Sequence, residues 1–163
     1  MHILIKNKKL YINHYKVKCA IGKRGISSKK KEGDLKTPKG KFKILYVLYR
    51  KDRVPKINTK IPKIQIKKNM GWCDDPKSKK YNKLIRFPLE FSAEKIFRKD
   101  NIYDIILVLN YNMKPVVKNK GSAIFIHVAK KDYKSTRGCI AISKKKIKTI
   151  LNYINKRTIV KIG

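Results

Sequence analysis

The sequence predicts a mainly β fold in a single domain, residues 1–163, with one clear helix near the C-terminus. Three observations support this prediction. Most apolar segments are short and either alternate with polar residues or are apolar throughout, which is typical of strands. A single segment has the spacing of an amphipathic helix. No linker or internal repeat divides the chain, and 163 residues suit one domain with a substantial core.

The first half of the chain has the pattern of strands. Residues 3–5 and 10–12 are short apolar segments on either side of a turn at residues 7–8. Apolar and polar residues then alternate over residues 15–21, which indicates a strand with one buried face. Residues 42–49 are apolar on both faces and rich in Tyr, Val and Ile, so we expect a central strand there.

Polar, lysine-rich segments separate these strands. Residues 22–40 and 50–82 combine Lys with Gly, Pro and Asp, which is typical of loops. After the second segment, Ser92 is placed to cap a short additional helix that ends at Arg98, with Glu94 in its first turn.

Two strands, a helix and a last strand complete the predicted order. Residues 104–111 and 123–128 are strongly apolar and predict strands. Ser143 is placed to cap the C-terminal helix. The apolar positions of that helix have helical spacing and are Ile147, Ile150, Leu151 and Ile154. Residues 158–162 predict the final strand.

The charge is unusual, since 44 Lys and Arg face 10 Asp and Glu, which gives a formal net charge of +34. Such a charge attracts polyanions, and a basic nucleic-acid-binding protein is one alternative function. However, the lysines are scattered along the whole chain rather than clustered. The abundance of Lys, Ile, Asn and Tyr is also what an AT-rich genome would produce. We therefore expect no specific nucleic-acid partner.

The three cysteines cannot all pair with one another. Cys19 falls on the apolar face of a predicted strand, Cys73 lies in a predicted polar loop, and a bridge between them stays open. Neither a C-x-x-C motif nor a zinc-type spacing of Cys and His is present, so we predict no metal and no cofactor. The N-terminus has no apolar run of signal-peptide length, and no segment approaches the ~20 apolar residues of a membrane helix.

The most informative segment is STRGCIAIS, residues 135–143, which follows the predicted strand that ends near His127. Gly138 has no side chain to shield the sulfur of Cys139, and His127 on a neighbouring strand is placed to take the thiol proton. Arg137 adds a positive charge that suits a substrate carboxylate. The N–H groups of Gly138 and Cys139 are candidate donors to an oxyanion.

These residues resemble the L,D-transpeptidase catalytic domain of the YkuD type. The resemblance consists of His127, then Thr136-Arg137-Gly138-Cys139 with Ile140 after it. It extends upstream to Gly22, residues 31–34 and the pattern Thr37-Pro38-x-Gly40-x-Phe42. It therefore covers most of the chain, from about Gly22 to Ser143. Many members have an arginine two places after the cysteine, where this chain has Ala141, and Arg137 is placed to supply that cation.

The resemblance implies a β-barrel or sandwich and a cysteine that is acylated by a peptidoglycan stem peptide. Cys139 would be the nucleophile, His127 the general base and then acid, and Gly138 with the Cys139 amide part of the oxyanion hole. The substrate-binding residues it suggests are Ser135, Thr136, Arg137, Trp72, Tyr111 and Asn112.

The resemblance also indicates a bacterial monomer that functions in cell-wall biogenesis and cell shape, at the periplasm or cell envelope. The absence of a visible leader leaves the cytoplasm as the alternative location. A muropeptide amidase or carboxypeptidase with the same Cys–His site is the alternative reaction.

Overall fold

The computed structural model describes residues 1–28 and 31–163. Its strands are β1 (His2–Lys6), β2 (Lys9–Ile12), β3 (Tyr15–Lys18), β4 (Ile26–Ser27), β5 (Thr37–Pro38), β6 (Gly40–Tyr49), β7 (Lys63–Gln65), β8 (Met70–Cys73), β9 (Leu84–Arg86), β10 (Ala93–Lys95), β11 (Ile105–Leu109), β12 (Phe125–Val128), β13 (Ile140–Ile142) and β14 (Ile159–Ile162), and its helix is α1 (Lys144–Tyr153). The mainly β prediction is confirmed.

Nine strands form the main sheet, in the order β13-β12-β11-β6-β14-β1-β2-β3, with β7 also paired to β6. The pairs β12–β13, β1–β14 and β6–β7 are parallel, and the other pairs of this sheet are antiparallel. The strand predicted at residues 42–49 is central, as expected, since β6 lies between β11 and β14. A smaller sheet, β10-β8-β9, covers part of one face.

Apolar side chains cover both faces of the sheet around β11. Ile105, Leu107 and Leu109 belong to the cluster that includes α1, whereas Ile106 and Val108 belong to the cluster on the opposite face. Side chains alternate between the two faces of a strand, so a strand covered on both sides must be apolar at every position. This explains the unbroken apolar run of residues 105–109.

The C-terminal helix begins where the sequence predicts and ends one residue before Ile154. Ser143 is the N-cap, and its hydroxyl accepts a hydrogen bond from the backbone N–H of Lys146 (3.4 Å). Ile147, Ile150 and Leu151 are buried against the sheet. Ile154 is the C-cap and is also fully buried.

The predicted short helix at residues 92–98 is wrong. Residues 93–95 form β10, which pairs antiparallel with β8. The Ser92 hydroxyl donates to Asp74 Oδ1 (2.7 Å) instead of capping a helix. The contacts of the strand thus outweigh the local capping signal, because a short helix gains little from its own hydrogen bonds.

Two segments predicted as loops also contain strands. Residues 22–40 include the short parallel pair β4–β5, and residues 50–82 include β7 and β8. Cys73, expected in a polar loop, is fully buried in β8, and Cys19 is 2% exposed as expected. Cys19 and Cys73 form no disulfide bridge, so the pairing left open by the sequence is absent.

A buried carboxylate joins β11, α1 and the segment after β6. Asp104 is 1% exposed, and its Oδ1 accepts from Arg53 Nη1 (3.0 Å) while its Oδ2 lies 2.6 Å from Lys144 Nζ. A buried carboxylate needs such partners because burial removes its hydration.

Over the described residues, no helix has the length and apolar character that a membrane crossing requires.

Candidate active site

The parallel pair β12–β13 brings Cys139 and His127 to one face of the sheet. In this pair His127 is opposite Ala141, and Ile126 is opposite Ile140. Partners in register present their side chains to the same face, and every second residue returns to that face. Cys139, two residues before Ala141, is therefore directed to the face that carries His127. Its side chain packs against the same apolar cluster as Phe125.

Two backbone groups hold the sulfur of Cys139. The thiol donates to the carbonyl oxygen of Ala123 (3.0 Å), and the N–H of Phe125 donates to Sγ (3.4 Å). Ala123 has a positive φ of 53°, which is uncommon for a residue with a Cβ. Cys139 is partly exposed, whereas Cys19 and Cys73 are buried. Among the three thiols, Cys139 is thus the one that a substrate can reach.

His127 is buried and has a defined tautomer. Its Nδ1 lies 2.9 Å from the carbonyl oxygen of Val128, and a carbonyl only accepts, so Nδ1 carries the proton. The lone pair of the ring is then on Nε2. Burial lowers the pKa of His127 from 6.5 to about 4, so the imidazole is neutral at pH 7 and able to accept a proton.

A tyrosine and a glutamate support the histidine from the side. The ring of Tyr103 packs edge-on against His127, with 5.4 Å between ring centroids. Its hydroxyl donates to Glu94 Oε1 (2.7 Å). Burial raises the pKa of Glu94 and raises that of Tyr103 well above its usual value, and Cys139 adds to the effect on Tyr103. Sequence reasoning missed both residues, because Glu94 was assigned to a helix and Tyr103 precedes a strand without a motif.

Threonine and glycine shape the turn that precedes Cys139. Thr136 Oγ1 donates to the carbonyl oxygen of Cys139 (2.6 Å) and accepts from the N–H of Gly138 (3.1 Å). Gly138 has φ of 143°, and a Cβ there would lie 2.9 Å from the carbonyl oxygen of Lys36. The turn therefore requires glycine at this position. In this structure the Gly138 N–H, a predicted oxyanion donor, is bonded to Thr136.

The upstream half of the motif packs directly against this turn. The hydroxyl of Thr37 accepts from the N–H of Gly22 (2.8 Å) and donates to the carbonyl oxygen of Gly138 (2.8 Å). The backbone of Thr136 is also hydrogen-bonded to this half: its N–H donates to the carbonyl oxygen of Ile21 (2.9 Å), and its carbonyl oxygen accepts from the N–H of Lys23 (3.0 Å). Residues separated by about a hundred positions in the sequence thus build one site.

The residues suggested for substrate binding have different surroundings. Ser135 and Arg137 are exposed beside the turn, and Thr136 is half-buried. Arg137 lies close enough to Glu94 for its charge to lower the pKa of that carboxyl, against the larger effect of burial. Ser135, Thr136 and Arg137 are thus next to the thiol, and their contact with substrate stays a prediction.

Trp72, Tyr111 and Asn112 contribute to the wall behind the site. Trp72 is 1% exposed and packs edge-on against Phe125, with 5.0 Å between ring centroids. Tyr111 is 8% exposed, and its hydroxyl donates to the carbonyl oxygen of Lys120 (2.8 Å). Asn112 bonds the backbone of Val117 and holds its own loop. Trp72 and Tyr111 are buried and Asn112 is half-buried, and contact of the three with a substrate stays a prediction.

Asn82 joins the members of this wall and was not found from the sequence. Its Oδ1 accepts from Trp72 Nε1 (3.0 Å) and from the N–H of Ala123 (3.0 Å). Its Nδ2 donates to the carbonyl oxygens of Tyr111 (3.0 Å) and Asn112 (2.8 Å). Asn82 is 2% exposed, and through the Ala123 N–H it holds the residue whose carbonyl accepts a hydrogen bond from the Cys139 thiol. Among the described residues no three His, Cys, Asp or Glu side chains gather as metal ligands.

A partly exposed thiol and a neutral, buried imidazole on one face of a β-sheet are the groups that a cysteine acyltransferase uses. The family model of the YkuD type, described as the L,D-transpeptidase catalytic domain, matches residues 1–162. The chain therefore belongs to the YkuD family of L,D-transpeptidase catalytic domains, as its sequence motifs predict. No curated protein matches the chain.

Proposed function

We propose that this protein is an L,D-transpeptidase that crosslinks peptidoglycan stem peptides through a thioester on Cys139, with His127 as base. The observation that carries the proposal is the β12–β13 pairing, which directs the thiol and a neutral imidazole to one face. Membership of the family supports the class of reaction and of substrate.

In the first half of the proposed reaction, Nε2 of His127 takes the thiol proton and Sγ attacks the carbonyl carbon of a stem-peptide amide. A C–S bond forms, and the carbonyl electron pair moves to oxygen, where backbone N–H groups stabilise it. The pair then returns, the C–N bond breaks, and the leaving amine takes the proton from the imidazolium. The product is a thioester and a released amine.

In the second half, the amine of another stem peptide attacks the thioester carbon. His127 accepts the proton that this amine loses, the C–S bond breaks, and the proton returns to sulfur. Because burial lowers the pKa of His127 from 6.5 to about 4, the imidazolium formed in each half is a stronger acid than a solvated imidazolium. It therefore transfers its proton readily to the departing group.

The proposal is tested by incubating the purified protein with disaccharide-tetrapeptides and identifying the products by mass. Cys139→Ala should abolish both the products and the single adduct that a carbapenem forms on the wild type, while the fold stays intact. Cys19→Ala is the matched control, because it removes a thiol that is 2% exposed and lies outside the site. A Cys139→Ala enzyme that works at the wild-type rate would contradict the mechanism.

The same assay separates transfer from hydrolysis, because an acceptor amine should divert the thioester from water to the crosslinked product. A product set that ignores the acceptor would favour the amidase or carboxypeptidase alternative. We propose peptidoglycan stem peptides as the partner, the cell envelope as the site of action, and a monomer as the active form. Nucleic-acid binding with a steep salt dependence, without reactivity of Cys139, would contradict this assignment.

A further inference from the structure

Thr37 lies where the two halves of the site meet, and the proposed mechanism gives it no role. It is fully buried, at 0% exposure. Its hydroxyl is used twice, as acceptor for the Gly22 N–H and as donor to the Gly138 carbonyl oxygen, both at 2.8 Å. A hydroxyl bonded in both directions between two backbone groups has a fixed orientation. It therefore also fixes the groups that it contacts.

The bond to Gly138 determines the orientation of the next N–H. The Gly138–Cys139 peptide is trans, since the cis bonds in the described chain are at other positions. In a planar trans peptide the C=O and the N–H point in opposite directions. Because Thr37 holds the Gly138 carbonyl oxygen, it also sets the direction of the Cys139 N–H.

The N–H of a nucleophilic residue lies beside its own side chain, so it is well placed to donate to an oxyanion formed on that side chain. The other predicted donor, the Gly138 N–H, is bonded to Thr136 in this structure. We propose that Thr37 is a positioning residue of the oxyanion site, which aims the Cys139 N–H by holding the Gly138–Cys139 peptide plane. This inference rests on the proposed acyl transfer at Cys139.

Neither Gly138 nor Gly22 has room for a side chain that could hold the Gly138–Cys139 peptide plane by packing. A Cβ at Gly138 would lie 2.9 Å from the Lys36 carbonyl oxygen, and a Cβ at Gly22 would lie 2.5 Å from that of Leu35. The backbone at Gly22 and the backbone at Gly138 thus both lie close to the segment of residues 35–37. Thr37 is the side chain of this segment that is hydrogen-bonded to both glycines.

The test compares two reactions of the same sulfur. p-Nitrophenyl acetate acylates the sulfur through an oxyanion: His127 takes the thiol proton, the S–C bond forms, and the carbonyl pair moves to oxygen. p-Nitrophenolate then leaves as the pair returns, and the imidazolium releases its proton to water. Iodoacetamide alkylates the thiol by direct displacement of iodide, and no oxyanion forms. An effect on the oxyanion site therefore changes the first rate and leaves the second unchanged.

Thr37→Val keeps the shape of the side chain and removes both hydrogen bonds. We expect it to slow acylation of Cys139 roughly 10- to 100-fold, because complete loss of one oxyanion donor costs about 10²–10³. Alkylation should stay within about twofold of the wild type. With stem peptides the loss should appear in kcat rather than in KM. Thr37→Ser keeps the hydroxyl, so we expect it to restore most of the acylation rate.

Thr158→Val is the matched control for loss of a buried threonine hydroxyl. Thr158 is 1% exposed, and its Oγ1 accepts from the N–H of Asn155 (3.0 Å) in the turn before β14. Thermal melting of all three variants shows whether each is folded at the assay temperature. We expect the ratio of acylation to alkylation to change only in Thr37→Val.

Equal loss of both reactions in Thr37→Val would overturn the inference, since Thr37 would then act on the thiol or on the fold. Unchanged acylation, or no rescue by Thr37→Ser, would overturn it as well. So would a wild-type protein that reacts with iodoacetamide and not with the ester. A wild type that is acylated by the ester but gives no products from stem peptides contradicts the proposed function alone.

Discussion

Burial of His127 should make the stability of the fold depend on pH. Burial lowers its pKa from 6.5 to about 4, because the charged ring loses its hydration. The unfolded chain therefore binds more protons than the folded one between these values. The contribution of His127 to stability is complete above pH 6.5 and is lost as the pH falls toward 4. This lowering of the pKa from 6.5 to about 4 corresponds to about 3 kcal/mol of the free energy of unfolding.

Urea unfolding at pH 7, 6, 5 and 4 measures this loss. Glu94 has the opposite sign, since burial raises the pKa of its carboxyl and its protonation stabilises the fold as the pH falls. The quantity to compare is therefore the difference between the wild type and His127→Gln, which removes the buried titrating ring. His14→Gln is the control, because His14 is exposed. Parallel pH profiles for the wild type and His127→Gln would refute the reasoning.

Three further predictions concern His127, Asp104 and Arg137. When kcat/KM is measured as a function of pH, its acid limb should lie near pH 4 rather than 6.5, because burial sets the pKa of His127 at about 4. A limb near pH 6.5 would mean that the base is solvated. Asp104→Asn should lower the free energy of unfolding by roughly 2 kcal/mol, because it removes the charge of a buried carboxylate that contacts two cations. Asp132→Asn, at an exposed ion pair, is the control and should leave the free energy of unfolding nearly unchanged in the same denaturation assay. Equal effects of the two substitutions would contradict the argument. Arg137→Lys should lower kcat/KM on stem peptides, because a planar guanidinium matches a carboxylate better than an ammonium does. Alkylation of Cys139 by a small neutral reagent should stay unchanged in this variant. Wild-type kinetics in both Arg137→Lys and Arg137→Ala would show that Arg137 does not bind the substrate.

Sequence reasoning worked where the pattern and the buried surface agree. Residues 46–49 and 105–109 are apolar because both faces of their strands are covered, whereas Leu45, in the same predicted strand, is exposed. Ser143 caps α1 because its hydroxyl reaches the Lys146 N–H. It failed at residues 92–98, where a strand pairing with β8 replaces the expected helix. That pairing depends on β8, which lies in a segment that looked like a loop, so no local signal could reveal it.

The candidate site was predicted in part. Cys139, His127 and Gly138 were found because their residue types and order are distinctive. Asn82, Tyr103 and Ala123 were not, because each acts through a contact made possible only by the sheet topology. An asparagine with four hydrogen bonds in the interior looks, in sequence, like any asparagine in a turn.

The turn before Cys139 is hydrogen-bonded to an N-terminal segment, and this long-range attachment affects the order of folding. Thr136 is bonded to Ile21 and Lys23, and Gly138 to Thr37 across 101 positions of the chain. Contacts so distant in sequence form late, since the loop between them must close first. During synthesis the early half of the site leaves the ribosome long before Cys139 does. We therefore expect Cys139 to be an ordinary thiol in a partly folded chain, and its acylation in the proposed reaction to report that these two distant segments have come together.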